Sequence, residues 1–116
     1  MLKTKRAYEP AETSDGTRFL VDRLWPRGIK KEKLKLNVWL KDVAPSTELR
    51  KWFAHDPAKW REFRKRYFEE LKQNPEAWEP LVTAAKKGSI TLIFSSHDQE
   101  HNNAAALKQF LDHKMR

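Results

Sequence analysis

Residues 89–95, with the sequence Ser-Ile-Thr-Leu-Ile-Phe-Ser, constrain the fold of this 116-residue chain more than any other segment. The run is short, contains β-branched residues, follows Gly88 and is almost continuously apolar. A strand with one face in water alternates apolar and polar residues, whereas a strand covered on both faces is apolar along its length. The run therefore predicts a strand that is buried on both faces, as in a parallel sheet.

Two other segments are candidate strands. Residues 18–25 follow Gly16 and end before Pro26, which cannot donate a ladder hydrogen bond. Residues 3–8 have a weaker pattern, and we predict that they lie at an edge of the sheet.

The region between these strands has the period of helices. Apolar residues at i, i+3, i+4 and i+7 predict a first helix, formed around Leu36, Trp39, Leu40 and Val43. Ser46 is the predicted N-cap of the next helix, and Asp56-Pro57 and Asn74-Pro75 each pair a capping residue with a proline at the first helical position. Gly88 ends the fourth helix, and a last helix is predicted over residues 99–115.

Strands that alternate with helices predict the α/β class, with right-handed connections between parallel strands. We expect a small, mainly parallel sheet of two to four strands with several helices. The length fits a single domain over residues 1–116.

The composition excludes several classes of protein. The chain has no cysteine, which excludes disulfides, a thiolate nucleophile and cysteine-ligated metals, and favours a cytoplasmic location. No signal peptide or membrane span is recognisable. The net charge of +8 favours an anionic partner, although a solvated basic surface explains it equally well.

Polar residues follow both of the stronger strands, and ligands of parallel α/β sheets bind beyond the carboxyl ends of strands. The predicted function is therefore binding of a small anionic, phosphate-bearing ligand, with Arg23 and Arg27 as anion contacts and Asp98 and His101 orienting it. The complete predicted ligand-binding set is Arg23, Trp25, Arg27, His97, Asp98, His101 and Asn102.

Each of these residues also has a simpler interpretation. Arg23 could form an ion pair with Asp22, Asp98 or Glu100, Trp25 could be a lid on the core, and Asp98 could be the N-cap of the last helix. His97 and His101 are spaced as a helical metal pair, but there is no glutamate beside His97 and no third ligand. We therefore predict no metal and no cofactor.

Catalysis is left open by the sequence. If the protein is an enzyme, the candidate acid/base residues are His55, His101 and Asp98. The glycine-rich loops of the common nucleotide-binding motifs are absent.

Two other functions are alternatives to anion binding. A nucleic-acid-binding or transcription-regulatory protein could use the basic surface, including the cations of residues 59–66, but glutamates at i, i+4 spacing indicate a solvated, salt-bridged helix face. A protein adaptor could dock through exposed tryptophans. The oligomeric state is not determined by the sequence.

Several motifs resemble the YeaO-like family, a group of unknown function (DUF 488). They are residues 21–28, residues 44–53, His55-Asp56-Pro57 and Glu100-His101-Asn102. The resemblance covers nearly the whole chain and implies a small α/β fold from bacteria or archaea, without implying a reaction. The matching motif positions are Asp22, Arg23, Trp25, Pro26, Arg27, Ser46, Arg50, Trp52, His55, Asp56, His101 and Asn102.

Overall fold

A computed structural model describes residues 1–116 and contains one sheet in which all strand pairs are parallel. The strands are β1 (Leu2–Arg6), β2 (Thr17–Leu20), β3 (Val38–Trp39) and β4 (Ile90–Phe94). Their order across the sheet is β1-β4-β2-β3. The predicted α/β class with a small parallel sheet is confirmed, and all four carboxyl ends lie at one edge.

Five α-helices connect and cover the strands within a single domain. None of them is long and apolar enough to cross a membrane. The helices are α1 (Lys31–Leu34), α2 (Thr47–Phe53), α3 (Trp60–Lys72), α4 (Pro75–Lys87) and α5 (Asn103–Lys114).

The predicted buried strand, β4, lies inside the sheet between β1 and β2. All five of its residues are buried, and Leu92 lies opposite Thr4 of β1 and Phe19 of β2. As predicted, β1 is an edge strand.

Successive side chains of the strands point to opposite faces of the sheet, and each face has its own apolar cluster. Phe19 and Leu92 belong to the larger cluster, which includes buried residues of α2 to α5. Leu20 and Ile93 belong to the smaller cluster with Leu34 of α1. Burial of each of these large side chains stabilises the fold by roughly 1.5–3 kcal/mol, so both faces fix the strands whose ends carry the polar loops.

A buried ion network fixes α1 to the sheet. The Arg18 side chain donates to the Asp15 carboxylate and, through Nε and Nη2, to the Leu34 carbonyl oxygen at 3.2 and 2.8 Å. Lys5 Nζ lies 2.9 Å from Asp15 Oδ1. Burial alone would raise the pKa of Asp15, but hydrogen bonds from Lys5, the Glu12 backbone and Arg18 outweigh it and lower the pKa to about 2.

The prediction of a helix around Leu36, Trp39, Leu40 and Val43 is wrong. This segment contains the two-residue strand β3 and a 3₁₀ turn over Lys41–Val43. The backbone N–H groups of Asn37 and Leu40 donate to carbonyl oxygens of Arg18 and Leu20, both at 2.9 Å. Pairing with the edge of β2 therefore replaces the helical hydrogen bonds of this segment.

The strand predicted over residues 18–25 ends early, at Leu20, and side chains explain why. The last ladder bond runs from Val21 N–H to the Ile93 carbonyl. The next bond of an evenly spaced parallel ladder would join Ser95 N–H to the Val21 carbonyl. Instead, Ser95 N–H donates to the Asp22 carboxylate and the Val21 carbonyl accepts from Asn103 Nδ2. The two strands separate at this point.

Candidate functional site

A cavity of about 510 Å³ lies where β2 and β4 separate. Its floor contains the buried side chains of Phe53 and Phe63, while Tyr8, Leu24 and His55 are exposed at its rim. Its volume is in the usual range for a small-molecule site. The lining residues are Tyr8, Asp22, Arg23, Leu24, Trp25, Arg27, Ala44, Pro45, Arg50, Lys51, Phe53, His55, Phe63, Ser95, Asn102 and Asn103.

Asp22 and Ser95 join the two strand ends inside this cavity. Asp22 Oδ2 accepts hydrogen bonds from the backbone N–H and the hydroxyl of Ser95, both at 2.9 Å. Burial raises the pKa of Asp22, and the hydrogen bonds from Ser95 and the charge of Arg50 oppose this rise. Asp22 is the only carboxylate that lines the cavity.

Four cationic side chains line the same cavity: Arg23, Arg27, Arg50 and Lys51. Arg23 donates one hydrogen bond, from Nη2 to the Ala44 carbonyl oxygen at 3.3 Å. The Nε atoms of Arg23 and Arg50 are both buried and have no hydrogen-bond partner. The ion pair considered for Arg23 with Asp22, Asp98 or Glu100 is absent, so its guanidinium charge is not neutralised by a salt bridge.

Trp25 and Arg27 lie beyond the end of β2, which ends at Leu20 and not at the predicted residue 25. The Trp25 indole N–H donates to the Ile29 carbonyl oxygen at 2.7 Å, and its ring packs edge-on against Trp39. Trp25 therefore packs on the core beside the smaller cluster and also forms part of the cavity wall.

His55 follows α2 and lies at the rim, with a left-handed backbone (φ 58°). Its ring lies 6.4 Å from the Phe53 ring, and its side chain makes no hydrogen bond within the protein. No carboxylate orients it as a general base, as an activated histidine requires.

His97, Asp98 and His101 do not line the cavity, although the sequence places them in the ligand-binding set. Asp98 Oδ1 accepts the backbone N–H groups of Glu100 and His101, both at 2.9 Å, and Oδ2 lies 2.9 Å from His101 Nδ1. These bonds, led by the one from the His101 backbone, lower the pKa of Asp98. The His101 ring packs edge-on against Trp60. Asp98 and His101 thus fix a turn before α5.

Asn102, and not Asp98, is the N-cap of α5. Asn102 Oδ1 accepts from the Ala105 backbone N–H at 2.8 Å, and its Nδ2 donates to the Asp98 carbonyl oxygen at 2.9 Å. The prediction of Asp98 as the N-cap is wrong because residues 99–101 form a turn between Asp98 and Asn102, and α5 begins only at Asn103. His97 is exposed before this turn, and no group of three or more potential metal ligands lies together.

The sequence patterns predict no site role for Arg50, Lys51, Asn103 or Tyr8. Arg50 is among the positions of the family resemblance, which gives it no role. The other available signal for Arg50 and Lys51 is their position in α2, the helix that leads to the candidate acid/base residue His55. Tyr8 follows β1, whose carboxyl end lies beside that of β4.

Comparisons with known proteins identify the family. Residues 1–116 match DUF488-N3i, described as the inactive DUF488-N3 subclade. The chain is 46% identical over 110 residues to "Uncharacterized protein YeaO" of Escherichia coli (strain K12), covering 95% of this chain and 96% of that protein. It is 39% identical over 111 residues to "Uncharacterized protein Rv3073c" of Mycobacterium tuberculosis (strain ATCC 25618 / H37Rv), covering 96% and 93%. No solved structure matches. The resemblance predicted from the motifs is confirmed: the chain belongs to the YeaO-like DUF488 proteins, in the DUF488-N3i family.

Proposed function

We propose that this protein binds a small phosphate-bearing anion in the cavity at the strand ends. Arg23 and Arg50 contact the anion inside the cavity, and Arg27 and Lys51 contribute positive charge near its opening. The function is binding, and no chemical step is proposed.

The observation that carries this proposal is that the half-buried guanidinium groups of Arg23 and Arg50 line the cavity and make only one hydrogen bond between them, from Arg23 to the Ala44 carbonyl oxygen. A buried donor without an acceptor costs about 1–3 kcal/mol, and a guanidinium is a planar fork of donors suited to phosphate. An anion in the cavity supplies acceptors for the guanidinium N–H groups that line it.

The charge balance of the cavity supports the same ligand. Four cationic side chains line it against one carboxylate, Asp22, whose Oδ2 accepts from Ser95. Electrostatic attraction is strengthened where burial lowers the effective dielectric constant. A neutral ligand would leave this positive charge uncompensated.

Asp98 and His101 act indirectly in this proposal. They hold the turn that places Asn102 and Asn103 at the cavity wall, whereas the sequence predicts that they orient the ligand themselves. His97 makes no contact with the cavity in this arrangement.

Binding without catalysis agrees with the description of the family as an inactive subclade. It also agrees with His55, the one candidate acid/base residue in the cavity, which has no hydrogen-bonded partner to orient it.

Isothermal titration calorimetry with inorganic phosphate and sulfate tests the proposal. Arg50→Gln and Arg23→Gln should each weaken binding roughly 10- to 100-fold, since a hydrogen bond to a charged group contributes about 1.5–3 kcal/mol. Arg61→Gln is the matched control, because Arg61 is exposed on α3 outside the cavity and its loss changes the net charge equally. Equal affinities for the three variants, or no binding by the wild type, would contradict the proposal.

The nucleic-acid alternative gains no specific support from α3. Two of its cations are paired with carboxylates on the same helix, Arg66 with Glu62 and Lys72 with Glu69. A titration of short duplex DNA at two salt concentrations separates the hypotheses, because binding through ~6–10 phosphates weakens roughly 10³- to 10⁵-fold between low and moderate salt.

A further inference from the structure

We infer that the ligand carries a flat aromatic group attached to its phosphate, as a nucleoside monophosphate does. This inference rests on the proposed anion site and adds the class of molecule that the site selects. It follows from the apolar side chains at the cavity rim.

Large apolar side chains are rarely exposed on this protein. Only Met1, Tyr8, Leu24 and Val38 are in this class, and two of the four, Tyr8 (47% exposed) and Leu24 (66% exposed), line the same cavity. Exposed apolar groups gathered at a concave polar site are typical of ligand recognition. A bare phosphate has no apolar surface to cover them.

The Tyr8 ring is held in position although it is exposed. Its hydroxyl donates to the Arg27 carbonyl oxygen at 3.0 Å, and the Arg6 guanidinium lies 5.0 Å from the ring centroid. A ring that is already ordered loses little conformational entropy when a ligand stacks on it. Trp25 is similarly fixed by its hydrogen bond to Ile29.

The lining of the cavity combines two chemical environments. Arg23 and Arg50 are half-buried, whereas Tyr8 and Leu24 are exposed. The cavity of about 510 Å³ has room for more than a phosphate ion. A molecule with its phosphate inside and its aromatic group at the rim matches both environments.

Calorimetric titrations with adenosine 5′-monophosphate, free adenosine, ribose 5-phosphate and inorganic phosphate test this inference. We expect the nucleotide to bind roughly 5- to 100-fold more tightly than ribose 5-phosphate, the range that stacking of one base on an aromatic side chain contributes. Tyr8→Ala should reduce this ratio several-fold. Tyr8→Phe, which keeps the ring but loses the hydroxyl bond to Arg27, should reduce the ratio less than Tyr8→Ala does. Phenyl phosphate in a parallel titration shows whether any aromatic phosphate ester is accepted or whether the nucleoside is needed.

The possible results separate the two proposals. If ribose 5-phosphate and the nucleotide bind with equal affinity, or if Tyr8→Ala leaves their ratio unchanged, the aromatic inference is overturned while the anion site stands. If none of the phosphates binds, the proposed function itself is overturned. If free adenosine binds as tightly as its monophosphate, the phosphate has no role and both proposals fail.

Discussion

Asp15→Asn tests whether the buried ion network stabilises the sheet. Asp15 is 1% exposed and Arg18 is 4% exposed, so the variant leaves a buried guanidinium without its counter-ion. Lowering the pKa of Asp15 from 3.8 to about 2 corresponds to about 2 kcal/mol, at about 1.4 kcal/mol for each tenfold change in proton affinity. Removing one partner of a buried pair costs about 3–5 kcal/mol. We expect a loss of about 3 kcal/mol at pH 7.

Urea denaturation followed by tryptophan fluorescence measures this loss. Thermal denaturation gives the same loss as a lower unfolding temperature: 3 kcal/mol corresponds to a shift of about 12 °C in a domain of this size. Glu62→Gln is the control, since it breaks an exposed ion pair with Arg66 and should cost less than about 1 kcal/mol.

The pH dependence supplies a second check. Because the folded-state pKa of Asp15 is depressed, its contribution is present above about pH 4 and is lost as the pH falls toward 2. The stability difference between wild type and Asp15→Asn should therefore shrink over this interval. A loss below about 1 kcal/mol at pH 7, or a difference that does not change with pH, would refute the reasoning.

Three further substitutions give measurable outcomes. Asp22→Asn should tighten sulfate binding about tenfold at pH 7, because it removes a negative charge from the cavity. Burial raises the pKa of Asp22, so the affinity of the wild type for sulfate should rise as the pH falls from 7 to 4. In calorimetric titrations it should approach the affinity of the variant. A ratio of wild-type to variant affinity that stays constant between pH 7 and pH 4 would contradict this. Asn102→Ala should cost about 1–2 kcal/mol in urea denaturation through loss of the α5 cap, whereas Asn74→Ala should cost little because the Asn74 side chain makes no capping bond. Gly16→Ala should lower the free energy of unfolding by about 2–4 kcal/mol, since Gly16 has φ 65° and a Cβ would collide with the Ser89 carbonyl. Gly88→Ala should be nearly neutral in the same assay, because a Cβ at Gly88 has open space around it.

The sequence alone was sufficient to predict the central part of the fold. The continuous apolar run of β4 indicates burial on both faces, and burial on both faces favours a parallel sheet with covering helices. The capping residue and proline before α3, and the glycine after α4, mark helix ends because their backbone preferences are local. The same preferences predicted that β2 ends before Pro26, so Arg23 and Trp25 lie beyond the strand only because β2 ends early, at Leu20.

The period of residues 36–43 misled the prediction because apolar spacing does not report the location of hydrogen-bond partners. In the structure, the free edge of β2 supplies those partners, and the segment becomes β3. The prediction that Asp98 is the N-cap of the last helix was wrong for a related reason. A carboxylate can accept N–H groups at the start of a helix or in a preceding turn, and both arrangements are compatible with the same residue type.

Only the tertiary structure decided the composition of the site. The carboxyl ends of β1, β2 and β4 meet at one edge of the sheet, and this brings Tyr8 and Arg50 to one cavity from distant parts of the chain. The same packing leaves the Nε atoms of Arg23 and Arg50 buried without partners. The residue types are written in the sequence, but whether a buried donor is satisfied depends on which acceptors the folded chain places within reach.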